Sequence, residues 1–445
     1  MRDRRSAETR EVDRSIVALA VPAFLALVAE PLFLLADAAI VGHLGTPELA
    51  GLGIASVVIR VAVGLCIFLA YGTTAAVARQ VGAGQHARAL AQGVDGLWLA
   101  VVIGVLFTAT GLSVTDPLIA AFGAGPEVTE EATTYLRLSW LGLLPMLLML
   151  AATGVLRGLH DTRTPLYVAV AANLANIAFN VLLVYGLDLG IAGSAIGTVL
   201  AQLGAAVALV TVVVRAAVRA GASLRPDLPG VRRSARAGGP LLVRTLSLQA
   251  ALVVTTWCAA GLGATATATH QLAMTVWTFL AYALDAVAIA AQTITGAALG
   301  AGDLDRVRRA TDRMIRIGLV SGVVTGALLA LTAPVLGPLF TDDPDVVSLL
   351  AKVLLVAALF QPAAGVVFVL DGVLIGAGDG RYLAAGGVVV TVLFVPLALA
   401  SVALAPGGDP ALLWLWVAFG AGFIGGRAAV LVRRAHGDTW MVAGA

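Results

Sequence analysis

Lysine is all but missing from this 445-residue chain: Lys352 is the one lysine among 28 basic side chains, and arginine supplies the rest. Cysteine is nearly as scarce. Cys66 and Cys258 both sit inside apolar runs, which excludes a disulfide framework or a cysteine metal site. They read as small core residues. Charge is the third shortage: 12% of residues are charged, against about 25% in soluble domains. So little charge cannot cover a water-facing surface. A net charge of +2 without a basic patch interleaved with aromatics excludes nucleic acid as a partner. The five histidines, His43, His86, His160, His270 and His436, are scattered, and no nucleophile–base pair accompanies them, so the chain is not read as an enzyme. Arginine in place of lysine, with abundant Ala, Gly and Val, suggests a GC-rich bacterial genome.

What the chain has is hydrophobic length. Hydrophobic residues make up 60%, and a spanning helix needs about 20 mostly apolar residues. Twelve stretches qualify: 16–41, 49–72, 94–115, 134–157, 165–186, 190–214, 239–263, 267–292, 314–337, 347–375, 383–405 and 411–432. The runs are continuous rather than alternating, so a β-barrel is excluded. The expected fold class is an all-α polytopic membrane protein. The first 15 residues are a charged mixture, and the apolar run behind them is too long for a signal peptide, so the first helix is expected to be retained. Arginines occupy the leader and every even-numbered loop, from Arg79 and Arg88 through the dense sixth loop (Arg215, Arg219, Arg225, Arg232, Arg233, Arg236) to Arg433 and Arg434. Odd-numbered loops hold no Lys or Arg but carry acids such as Glu48, Asp116, Asp188, Asp342 and Asp409. This alternation predicts both termini on the cytoplasmic side of a bacterial cell membrane.

The chain also repeats itself. A shift of 218 residues superposes Pro22 on Pro240, Leu44-Gly45 on Leu262-Gly263, Gly82-Ala83-Gly84 on Gly300-Ala301-Gly302, and Arg88 on Arg306. The same shift aligns Phe122 and Pro126 with Phe340 and Pro344, and Gly158, Asp161 and Arg163 with Gly376, Asp379 and Arg381. Two six-helix lobes are expected, 1–220 and 221–445, joined by a linker at about 215–238. Six helices per half keep both halves in one orientation, the layout of a transporter that alternates access around a midplane site. The paired Gly-Ala-Gly loops lack a preceding strand and a following Lys-Ser/Thr, so they read as tight turns rather than phosphate cradles.

Ionisable groups within a bilayer are costly, by about 2.5–3.5 kcal/mol even on lenient scales. Those found inside the runs are Glu30, Asp37, Asp285 and Asp371, with Arg60, Arg137, Arg244 and Lys352 in or near them. Asp37 follows Glu30 by two helical turns, across Pro31, so the two acids share a face. In the fifth run Asn173, Asn176 and Asn180 also share a face. Asp37 lies five residues before Gly42 and Asn180 six before Gly186, which places the two at one depth. Low dielectric disfavours the charged form of a carboxyl group, so an acid there can load and release a proton while neighbouring amides bond either form. Glu30 reads equally as the end of a polar network. Asp371 and Asp285 read either as partners of an intramembrane arginine or as substrate contacts. Trp257, Trp277, Met274 and Phe279 are interface anchors or the lining of an aromatic substrate cavity.

The run Ala29-Glu30-Pro31-Leu32 through Ala36-Asp37-Ala38-Ala39-Ile40-Val41-Gly42-His43-Leu44-Gly45 resembles the first helix of the multidrug and toxic compound extrusion (MATE) family, closest to its DinF branch. Gly154-Val155-Leu156-Arg157-Gly158, Asp371-Gly372-Val373-Leu374-Ile375-Gly376, and Asp285 through Gln292 resemble its repeat motifs. The resemblance covers about 15–435. It implies a V-shaped pair of six-helix lobes and efflux of organic, often cationic or amphipathic compounds driven by H⁺ or Na⁺. No cofactor beyond the coupling ion is implied. The expected partners are small organic substrates and membrane lipid, and the expected state is a monomer. By resemblance the cation site maps onto Asp37, Asn176, Asn180 and Thr198, with Thr153 nearby. Relatives often carry Asp where Asn180 stands. Fewer carboxylates suit Na⁺ poorly, which favours H⁺ coupled through Asp37. The alternatives are Na⁺-coupled efflux and a lipid-linked oligosaccharide flippase of the same superfamily. The loop Arg79–Arg88 lacks the basic signature of a major facilitator transporter, and a non-transporting scaffold would not need Asp37.

Overall fold

A computed structural model describes the backbone of residues 2–405 and 409–444, and the side chains of 13–29, 31–405 and 409–444. Among the described residues, twelve helices are long and apolar enough to cross a membrane. They are α1 (Asp13–Gly42), α2 (Thr46–Gly82), α3 (His86–Ala120), α4 (Pro126–Gly158), α5 (Arg163–Gly186), α6 (Gly190–Arg219), α7 (Leu228–Ala260), α8 (Ala264–Gly300), α9 (Leu304–Leu339), α10 (Pro344–Gly376), α11 (Gly380–Ala403) and α12 (Asp409–His436). No strand occurs among the described residues. The chain is an all-α polytopic membrane protein.

The helices overrun the apolar windows read from sequence. The run at 94–115, for example, extends to His86–Ala120. Hydropathy marks the segment that must sit in hydrocarbon, whereas helical hydrogen bonding continues outward until a turn stops it. That turn is often a glycine with positive φ, as at Gly84 (φ 73°) and its repeat Gly302 (φ 75°). Four spans are irregular, among them α9, which closes in a 3₁₀ turn over Gly337–Leu339. α2 is interrupted for one residue at Ile67. α5 ends in a π-turn over Leu182–Gly186, and α12 contains one over Ala418–Ile424.

Contacts group the chain into two compact units, Val21–Gly239 and Met1–Ala20 with Pro240–Ala445. In the second, the leading helix is tied down by Arg313, whose Nε and terminal NH₂ donate to the two carboxylate oxygens of Asp13, both at 2.7 Å. The fourth helix of each half is its centre: 56% of the apolar window is buried in both α4 and α10, more than in any other span. Around α4 the core is made by Leu136, Leu143, Leu147, Ala151 and Val155. Around α10, small residues let backbones close up, as membrane helices require. A Cβ on Gly365 would lie 2.0 Å from the Gly318 carbonyl oxygen, so neither residue can grow.

Candidate functional site

Asp37 is 4% exposed, near the end of α1. Its Oδ1 accepts from Asn180 Nδ2 at 2.7 Å and from Ser194 Oγ at 2.6 Å. Its Oδ2 accepts from the Tyr135 hydroxyl at 3.2 Å. Three helices, α4, α5 and α6, thus each aim one donor at a carboxylate carried by a fourth. The network continues: Asn180 Nδ2 also donates to Asn176 Oδ1 at 3.2 Å, and Asn176 Nδ2 donates to Thr198 Oγ1 at 2.9 Å.

Helical spacing explains the assembly. Asn176 and Asn180 stand four apart on α5, and Ser194 and Thr198 four apart on α6, so each pair forms one ledge. Gly197 lets the two ledges meet. A Cβ there would lie 2.2 Å from Asn180 Oδ1. That oxygen is buried and has no hydrogen-bond partner among the described residues. At the acidic loop end, Tyr185 donates to the Ile40 carbonyl at 2.6 Å and pins α1 to α5.

No arginine or lysine reaches the Asp37 carboxylate among the described residues; neutral donors alone hold it. A hydrogen bond to a charged group contributes about 1.5–3 kcal/mol, more than a neutral pair. An ionised carboxylate with three donors is satisfied. A protonated one has a hydrogen to give, and the Tyr135 and Ser194 hydroxyls can turn to accept it. The site therefore tolerates both protonation states with small rotations.

The structure brings Asp37, Asn176, Asn180 and Thr198 together. Thr153 is half-buried on α4 and makes no hydrogen bond to them among the described residues. Asn173, on the same α5 face, reaches instead to the backbone of α1, donating to the Ala29 carbonyl at 3.0 Å. The Glu30 side chain lies outside the described residues. Sequence reasoning missed Tyr135 and Ser194. Tyr135 stood among loop acids, and Ser194 opened an unremarkable small-residue run.

The second half is built differently. Asp371 is 5% exposed on α10 and accepts from two arginines, the half-buried Arg244 of α7 and the buried Arg427 of α12. Of the two sequence readings for Asp371, the arginine partner is the one present. Arg427 was overlooked inside the run 411–432, although an arginine in an apolar window is itself a signal. Asp285 is half-buried and Gln292 buried, both on α8. The aromatic-cavity reading needs correction at Trp277, which is 7% exposed and packs against Trp416 and Phe419 at centroid distances of 6.3 and 5.4 Å. Ring packing of this kind favours burial in the lobe. Trp257, by contrast, is 68% exposed. Arg137 and Lys352 pair with acids near helix ends, Asp116 of α3 at 2.7 Å and Asp409 of α12 at 3.1 Å.

Known proteins share this architecture. The chain is 30% identical over 399 residues to the chloroplastic protein DETOXIFICATION 44 of Arabidopsis thaliana, covering 85% of this chain and 75% of that one. It is 29% identical to the DNA damage-inducible protein F of Escherichia coli, covering 86% of each. It is 31% identical to a probable multidrug resistance protein NorM of Bradyrhizobium diazoefficiens, covering 82% and 80%. A crystal structure of a MATE transporter in complex with MaD3S superposes with a TM-score of 0.86 at 24% identity over 96% of both chains. A Vibrio cholerae MATE transporter does so at 0.88 and 20% identity, over 98% of this chain and 99% of that one.

The MatE family matches twice, at residues 22–182 and 240–400. Both ends of the two matches are offset by 218 residues, the interval of the internal repeat. In that register Thr255 stands for Asp37, Phe394 for Asn176, Ala398 for Asn180 and Val353 for Tyr135. Phe394 packs on Phe423 at 5.5 Å. The second half thus fills the equivalent region with aromatic packing, and the carboxylate network belongs to the first half alone. Twelve spans and two family matches in the register of the repeat leave one conclusion: the chain belongs to the MatE family of multidrug efflux transporters.

Proposed function

We propose that this transporter exports small organic, often cationic or amphipathic compounds across the bacterial cytoplasmic membrane by H⁺ antiport, coupled through protonation of Asp37. The single observation that carries the reading is the sealed carboxylate of α1, held by one donor from each of α4, α5 and α6. Proton uptake removes the charge that orients all three donors. The neutral acid holds them more weakly, because charge-assisted hydrogen bonds are about twice as strong as neutral ones. α1 is then freer to repack against α5 and α6. A proton entering from outside and leaving inside drives this change in one direction, and substrate moves the opposite way.

The oxygens of Asn176, Ser194 and Thr198 add no negative charge to that of Asp37. A hard monovalent cation gains less from such a set than a proton does, which favours H⁺ over Na⁺. The arginine-rich leader and even-numbered loops support cytoplasmic termini. The halves 1–220 and 221–445 act as the two lobes of the transport cycle, and the protein works as a monomer without a cofactor.

The test is dye efflux from energised vesicles under separately imposed H⁺ and Na⁺ gradients. The parent protein exports under the H⁺ gradient, and Asp37→Asn does not. Normal export by the variant removes Asp37 from the mechanism. Export by the parent under a Na⁺ gradient alone replaces the ion.

A further inference from the structure

Arg60 of α2 is exposed and makes no hydrogen bond or ion pair among the described residues. Other charges within the apolar runs are paired: Asp371 with Arg244 and Arg427, Arg137 with Asp116, and Lys352 with Asp409. Arg316 is exposed and unpaired too, but it lies two residues inside one edge of its run, 314–337, where a long side chain reaches the headgroups. Arg60 has no such exit. It stands eleven residues from one end of the run 49–72 and twelve from the other. At 1.5 Å per residue each end is about 17 Å away or more, beyond the reach of an arginine side chain.

A charge at that depth faces protein or water, not hydrocarbon. The face of α2 that packs into its own unit carries Gly51, Leu52, Ala55, Ala62 and Cys66, all buried. Arg60 lies off that face, in line with Gly53 and Val57, seven and three residues before it. Val57 is exposed, and a Cβ on Gly53 would meet nothing within 4 Å. The guanidinium is therefore uncovered, and water is its neighbour. The 218-residue repeat places Thr278 at the equivalent point of the second half. Its hydroxyl donates to the Met274 carbonyl at 2.8 Å, so it is satisfied within its own helix. The open charge belongs to the first half alone. A guanidinium offers five donors in a planar fork, which matches the two oxygens of a carboxylate or phosphate.

We infer that Arg60 stands in a water-filled path at mid-membrane and binds the carboxylate of an exported compound. The inference rests on the export reading above and narrows it: the compounds taken carry a negative group, alone or beside a positive one. A lipid phosphate shares the chemistry that a guanidinium recognises, so the test separates the two sources.

Two measurements test it. The first replaces the buried Cys66 and Cys258 by alanine, then makes Arg60→Cys and, as a control, Val105→Cys. Val105 is exposed on α3, eleven residues into its run 94–115, and so lies at the same depth. In lipid vesicles with a membrane-impermeant methanethiosulfonate reagent on both sides, the cysteine at 60 is labelled and the one at 105 is spared. Equal protection of the two overturns the water-filled path. The second measures binding of two rhodamine dyes with one ring system, a free acid and its methyl ester, by fluorescence polarisation. The purified protein is held in phosphatidylcholine nanodiscs. The parent binds the acid about tenfold more tightly than the ester. Arg60→Gln abolishes that preference, and Arg60→Lys, which keeps the charge, retains part of it. A parent that does not distinguish the dyes, or an Arg60→Gln variant that still does, overturns the assignment. Adding phosphatidylglycerol leaves the preference in place. Its loss on that addition makes a lipid phosphate the occupant and overturns the substrate carboxylate. Binding to purified protein needs no gradient, so the outcome of this test is independent of the Asp37→Asn efflux result.

Discussion

Asn180 holds Asp37 through its amide nitrogen at 2.7 Å, while its own carbonyl oxygen is buried without a partner among the described residues. The amide therefore spends its donor on the carboxylate and keeps an acceptor in reserve. Asn180→Asp would place a second carboxylate against Asp37, and two like charges at that distance do not both ionise. We expect this variant to bind one proton more tightly than the parent and to shift the pH dependence of export toward higher pH. A series of vesicle efflux assays across pH reads the shift, and an unmoved profile contradicts the contact.

Tyr135→Phe and Ser194→Ala each remove one hydroxyl from the Asp37 carboxylate. Each is expected to cost about 1–3 kcal/mol of folding stability. Both should also alter the pH profile of export, since both donors favour the ionised acid. Thermal unfolding in detergent measures the first effect and pH-dependent efflux the second. A stability loss with an unchanged profile would make these residues structural only.

Gly197→Ala drives a methyl group into Asn180 Oδ1, 2.2 Å from the Cβ position. Overpacking of this kind costs about 1–3 kcal/mol, and here it separates α5 from α6 beneath the carboxylate. Export should fall together with thermal stability. Gly204→Ala on the same helix, where a Cβ meets nothing within 4 Å, is the control and should leave both unchanged.

Asp371→Asn leaves Arg244 and Arg427 facing each other without the carboxylate between them. Removing one partner of a buried ionic group typically costs about 3–5 kcal/mol. The variant should unfold at markedly lower temperature. Adding Arg427→Met to it should recover part of the loss by withdrawing a buried charge. A thermal-shift series over the three proteins decides the matter, and a stable single variant would contradict the ionic reading.

Trp277→Ala empties a buried site lined by Trp416 and Phe419, at a cost of about 3–5 kcal/mol. Because the ring packs inside its unit, relative export of different dyes should not change once expression is matched. A selective change of dye preference would return Trp277 to the substrate path.

Sequence by itself determined the solvent and the count. Low charge and long apolar runs force the backbone to satisfy its hydrogen bonds within helices, and the arginine alternation numbers those helices. The 218-residue repeat and the polar face of α5 were also legible, because helical periodicity converts spacing directly into a shared side. Tertiary structure alone decided which helices meet. Tyr135, Ser194 and Arg427 come from segments far from their acids, 98, 157 and 56 residues away. No local pattern marks such a partner. Asn173 shows the same limit from the other side: its spacing puts it with Asn176 and Asn180, yet its amide bonds the α1 backbone at Ala29. Periodicity fixes the face on which a polar group lies, and only the packing of neighbouring helices selects the atom it touches.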